Sequence, residues 1–164
     1  MARATFWIFF TAGLLCGALL LLPRWFAPPQ LGQAITGVVV LYVLVLVAGA
    51  WLRSQHELLD ALALVLPLSV FQVVPDTMLV QNLGTLAFPD LGAARFGPVP
   101  VYMAGLWIAP LLVVVWAAEL AHRFSALLAA LVAIAVSLAA FGAAEWGAAH
   151  VLALWHPRNV ATWQ

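Results

Sequence analysis

The chain carries six acids, six arginines and four histidines in 164 residues. Any of these inside an apolar stretch is costly to keep there and therefore informative. Glu145 is the clearest case. It sits in Gly142-Ala-Ala-Glu-Trp-Gly-Ala-Ala-His150, a run otherwise made of small or apolar residues. A carboxyl in such a place is expected either to face the interior of a helix bundle or to lie at the headgroup level, where it solvates the helix end. If an apolar cavity keeps it in the acid form, it can protonate an alkene or serve as a general acid.

Two more acids complete a candidate catalytic set. Asp76 follows Gln72 by four residues, so both share one face if a helix continues through Pro75. Otherwise Asp76 reads as a turn or cap residue. Asp90, in Phe88-Pro89-Asp90-Leu91-Gly92, has a turn-like setting but falls towards the same end of the molecule. Tyr102 and Trp107 either shape an apolar pocket or anchor a membrane boundary. Gln72, Asn82, Trp146 and His150 complete the residues expected to contact a substrate.

A second polar group collects at the opposite end. Glu119 and His122 form an E-x-x-H on one helical face, a spacing that carboxylate-bridged metal bundles use in pairs. Here it occurs once, with His56, Glu57 and Asp60 as possible supplements, so a polar helix end is the simpler reading and no metal is expected. Zinc-protease, phosphate-loop and acyl-hydrolase signatures do not occur, and no cofactor is implied.

The elements that must position these residues are membrane helices. The composition is 66% hydrophobic and only 7% charged, whereas soluble domains carry roughly 25% charged residues. Five stretches approach the ~20 residues needed to cross the hydrocarbon layer: 5–22, 31–52, 58–74, 101–120 and 125–151. The expected fold is thus a single all-α domain over 1–164, a polytopic integral membrane bundle of about five transmembrane helices. Pro67 should kink the third helix, Pro75-Asp76 should end it, and His156-Pro157-Arg158 should stop the fifth. Trp25, Trp51, Trp155 and Trp163 fall where helices should end, at the membrane boundaries.

The first run, 5–22, reads as a retained helix rather than a signal peptide, since Pro23-Arg24 replaces a small-residue cleavage site. Cys16 lies within it and packs as a small apolar residue. All six basic residues are arginine and net charge is zero, so no basic patch recommends nucleic acid as a partner. Arg3, Arg53 and Arg123 balance Arg24, Arg95 and Arg158 across alternating loops, which leaves orientation close to a tie under the positive-inside rule. Gly13 and Gly17, and the series Ala135, Ala139, Ala143 and Gly147, are small-residue faces suited to helix packing or to a homo- or hetero-oligomer. The expected location is a membrane, as a multi-pass protein of the bacterial inner membrane.

The segment Gly84-Thr-Leu-Ala-Phe-Pro-Asp-Leu-Gly92-Ala-Ala-Arg-Phe-Gly97-Pro-Val-Pro100-Val-Tyr-Met-Ala-Gly-Leu-Trp107 resembles the loop-plus-helix segment of carotenoid-biosynthesis membrane proteins of the hydratase type. Those proteins share a glycine-rich polar loop, a Gly-x-Pro step and an apolar helix with a tryptophan. This chain is shorter than they are and has no Tyr-x-Tyr element in the loop. In architecture alone it is also similar to the small polytopic terpene cyclases. Both resemblances imply acid chemistry on an isoprenoid lipid, with Asp90, Glu145 and Asp76 as the acids.

Three functions follow as expectations. The first is an intramembrane enzyme acting on a lipid or isoprenoid by general acid–base chemistry, of hydratase, cyclase or isomerase type. The alternative is a non-catalytic membrane subunit or assembly factor. A carrier of protons or solutes finds little support, because midplane polarity is confined to Thr36, Ser69 and Ser137 and inverted repeats are not evident.

Overall fold

The computed structural model describes residues 2–159, with the side chains of 5–23 and 25–159. Helix α1 spans Ala2–Trp25 and α2 spans Pro28–Leu52. Helices α3 (His56–Phe71) and α4 (Val73–Gln81) follow, then a looped segment carrying β1 (Leu86–Ala87), β2 (Arg95–Phe96) and β3 (Val99–Pro100). The short α5 (Met103–Leu106) runs into α6 (Ile108–His122). Helix α7 (Ala126–Trp146) continues as a π-helical turn over Gly147–Val151, and β4 is His156–Pro157. The protein is an all-α bundle in which five helical segments are long and apolar enough to cross a membrane: Thr5–Pro23, Pro28–Leu52, His56–Gln81, Met103–His122 and Ala126–Val151. Exposed Phe6, Phe10, Leu41, Leu64, Ile134 and Leu138 spread over their outer faces, as suits a multi-pass membrane protein. Trp163 lies outside the described residues.

Helical spacing builds the core. Ile35, Val39, Tyr42, Leu46 and Ala50 form one buried stripe along α2, and Leu58, Leu62, Val65 and Ser69 form another along α3. Pro28 and Pro29 occupy the first two positions of α2, where a missing N–H costs nothing. Ser125 caps α7, its Oγ accepting from Leu128 N at 3.0 Å. Between α1 and α2, the Arg53 guanidinium lies 4.4 Å from the centre of the Trp7 ring.

The third span departs from expectation in an instructive way. Rather than ending at Pro75, it breaks lightly at Gln72 and resumes to Gln81. Pro75 is then the third residue of α4, a first-turn position whose N–H has no intrahelical partner to lose. Asp76 N closes the turn onto Gln72 O at 3.3 Å. The same device recurs at Trp107, which caps α6 three residues before Pro110. Pro67, by contrast, is carried inside α3.

The residues after α7 do more than stop it. β4 pairs antiparallel with β1, Leu86 opposite Pro157 and Ala87 opposite His156. Arg158 N adds a bond to Thr85 O at 2.9 Å, and Asn159 Nδ2 donates to Gly84 O at 3.3 Å. β2 and β3 form a hairpin. The segment before it is tied to the start of α2, where Gly32 N donates to Leu91 O at 2.7 Å. Gly92 has φ +76°, and a Cβ there would collide with Pro29 O, so only glycine fits that crossing.

Candidate active site

At the end of the bundle opposite the N-terminus, Asp76 and Glu145 line one cavity of about 170 Å³. Asp76 arrives on α4, in the first turn after the break at Gln72, and Glu145 on the next-to-last residue of α7. Asp76 Oδ2 is buried with no hydrogen-bond partner among the described residues. Aromatic rings supply much of the remaining wall: Phe88 from the loop, Trp107 from the α5–α6 break, and Trp155 from the tail. The β1–β4 pairing holds Thr85 and Leu86 against the same space.

Trp107 is positioned from two sides. Its ring stacks on Phe141 of α7, with centroids 5.3 Å apart and planes 20° from parallel. The break that precedes Pro110 fixes its backbone. Its Nε1 is buried and unpaired among the described residues. Nearby, buried Ser69 on α3 donates to Ala104 O on α5 at 2.7 Å and ties the two helices together.

Trp107 and Met103 also face a second space, an apolar groove of about 460 Å³ between α1, the α5–α6 segment and the end of α7. Consecutive residues divide the two chambers. Glu145 lines the acid cavity and Trp146 the groove; Trp155 lines the cavity and Leu154 the groove. Gly147, Ala148 and Val151 of the π-helical turn border the groove, and π-turns inserted in helices are frequent at functional sites.

Of the residues singled out from sequence, Glu145, Asp76 and Trp107 share this cavity. Asp90 does not join them. It is exposed, and its Oδ1 accepts from Gly92 N at 3.1 Å, so it shapes the turn that crosses Pro29. Tyr102 is 1% exposed and packs into the core beside the cavity wall rather than in it. Burial pushes its hydroxyl up to about 12, with Arg95 opposing the shift, so it remains protonated at neutral pH. Gln72 and Asn82 serve as the capping residues that follow α3 and α4 and lie outside the cavity wall. Trp146 belongs to the groove, and exposed His150 stacks on it at 5.6 Å while its Nδ1 sits 3.1 Å from Trp146 O. Arg95 reaches neither acid; it donates to Pro98 O and Pro89 O and braces the loop.

Leu79, Thr85, Leu86, Phe88, Met103 and Trp155 escaped the sequence reading. Only Phe88 and Trp155 carried a signal there, as aromatic residues flanking turn and helix-end motifs.

At the opposite end, Glu57 and Glu119 border a cavity of only about 50 Å³ beside Trp116. The Trp116 Nε1 donates to Thr5 Oγ1 at 2.8 Å. Among the described residues, no three His, Cys, Asp or Glu side chains gather where they could hold a metal ion.

Residues 73–164 match a family model described as a domain of unknown function, DUF6989. No curated protein and no solved structure matches the chain. Every residue of the acid cavity wall falls within the matched stretch, whereas the groove also draws Leu15, Cys16, Leu19 and Leu20 from α1 outside it.

Proposed function

The chain belongs to the DUF6989 family, and we propose that its acid cavity catalyses intramembrane acid–base chemistry on an isoprenoid or related lipid. The observation that carries this reading is the juxtaposition of Asp76 and Glu145 in one cavity whose wall is shared with an apolar groove. Two carboxyls can divide the roles of proton donor and proton acceptor. An apolar chain would lie in the groove and present its reactive end to them.

In the proposed step, the Glu145 carboxyl protonates an alkene carbon. The π electrons form the new C–H bond, leaving a cation on the neighbouring carbon and a carboxylate on Glu145. The aromatic faces of Phe88, Trp107 and Trp155 stabilise that cation. Loss of a proton from an adjacent carbon to the Asp76 carboxylate completes an isomerisation. Attack by a second alkene of the chain before that loss completes a cyclisation. Attack by water, whose extra proton passes to Asp76, completes a hydration. In each case transfer of the proton from Asp76 to Glu145 restores the starting state. The resemblance of residues 84–107 to hydratase-type carotenoid-biosynthesis proteins agrees with this class of chemistry, and a bacterial inner membrane is the proposed location.

The test is turnover of geranylgeraniol and of acyclic polyenes by the purified protein in lipid vesicles, followed by mass spectrometry. Hydration adds the mass of one water; isomerisation and cyclisation change retention without changing mass. Glu145→Gln and Asp76→Asn should each lower turnover by about 10²-fold or more. Turnover unaffected by both substitutions would remove the acids from the mechanism.

A second reading, a non-catalytic membrane subunit, is favoured by one observation. Ala135, Ala139 and Ala143 of the α7 series are exposed in the monomer, which leaves a close-packing face open to another helix.

A further inference from the structure

The two adjoining chambers specify their occupant more narrowly than lipid in general. The groove is bounded by apolar side chains and Cys16, drawn from three membrane-spanning segments, so it suits an unbranched or methyl-branched hydrocarbon chain and offers nothing for a charged headgroup. The cavity behind the shared wall differs. Trp107 and Asp76 both line it, and each carries a buried polar atom, Nε1 and Oδ2, with no hydrogen-bond partner among the described residues. Such groups each cost free energy unless a partner is supplied. A hydroxyl both donates and accepts, and so suits both kinds of group.

We infer that the site binds a long-chain isoprenoid alcohol, its chain in the groove between α1 and α7 and its hydroxyl in the cavity between Trp107, Asp76 and Glu145. This inference rests on the cavity's being the site proposed above. The alcohol is either the product of hydration or the substrate of its reverse. A phosphorylated or zwitterionic lipid is not accommodated, because the described walls of both chambers present no cationic side chain. Exposed Cys16 and Leu20 place the groove's outer edge on the outer face of α1, so the chain enters laterally from the bilayer.

The experiment uses the full chain in lipid vesicles and a geranylgeraniol analogue bearing a diazirine near its hydrocarbon end. Photolysis should place adducts on the α1 residues Leu15 to Leu20 and on α7 and its π-turn, Ala143 to Leu152. Unlabelled geranylgeraniol should suppress them, and the corresponding hydrocarbon without the hydroxyl should be roughly fivefold to tenfold weaker, as expected for a satisfied buried hydrogen bond. Trp107→Phe keeps the stacking on Phe141 but removes the N–H, and should erase most of that difference while leaving the adduct positions unchanged. Ala143→Phe, at an exposed position lining the groove, should cut labelling. Adducts scattered evenly over lipid-facing helices would overturn the proposal. So would equal competition by alcohol and hydrocarbon in the wild-type protein. Saturable, hydroxyl-selective labelling without turnover of any alcohol or polyene would sustain this inference and sink the catalytic one.

Discussion

Tyr102 places a hydroxyl in the protein interior with no hydrogen-bond partner among the described residues, at a cost of about 1–3 kcal/mol. Tyr102→Phe should therefore be neutral or raise stability by about 1 kcal/mol in detergent. It should also change the alkaline limb of the stability profile. The folded state pushes this group up to about 12 from an ordinary value of 10.0. An acid whose folded value is raised loses stability as pH climbs between those two values, since only the unfolded chain ionises freely there. Thermal melts should decline over that window in the wild type and less in Tyr102→Phe. Destabilisation of the variant at neutral pH would show that the hydroxyl has a partner after all. At this scale, the sequence distinguished Glu145 because a charge among small apolar residues is anomalous wherever the helix points. It could not separate Asp76 from Asp90, since both follow a proline and both read as turn residues. What separates them is tertiary: one carboxyl enters a cavity, the other bonds the backbone two residues on.

At the level of elements, the five apolar spans were legible because lipid demands long, internally bonded helices. The strap was not. Strands of two residues carry no periodicity, and the pairing of Leu86–Ala87 with His156–Pro157 joins segments far apart in the chain. The third span runs on past Pro75 because a proline stops a helix only where its N–H is needed. The light break at Gln72 removes that need. Both proline-associated breaks, at Gln72 and Trp107, flank the acid cavity, so the irregular backbone sits where the site is built. The crossing of Gly92 over Pro29 holds the intervening loop. Gly92→Ala should cost about 1–3 kcal/mol from the left-handed backbone alone, and more from the contact with Pro29 O. Because Phe88 belongs to the same loop, the variant should lose turnover beyond its fall in melting temperature. By contrast, Ser125→Ala removes the α7 cap at the other end of the molecule. It should cost about 1 kcal/mol with turnover per folded molecule unchanged.

For the whole molecule, the catalytic and subunit readings make opposed demands on the same helix. Helix α7 carries Glu145 into the cavity, borders the groove through Ala143 and Ala144, and leaves Ala135 and Ala139 exposed. A partner helix seated on that alanine face would meet the edge of the groove at Ala143, so association and lateral entry of a chain are coupled there. Ala139→Leu separates the two, because Ala139 lies on the face but not in the groove wall. Leucine is as good a helix former as the position needs, so the monomer should keep its melting temperature within about 2 °C. If the protein works alone on a lipid, photolabelling and turnover of Ala139→Leu should stay within about twofold of wild type. If α7 is an assembly surface, the added side chain prevents close approach of the helices, and the oligomer recovered in mild detergent should be lost. Measuring both in one preparation decides which demand has shaped the exposed alanines, since Ala143→Phe should disturb labelling under either.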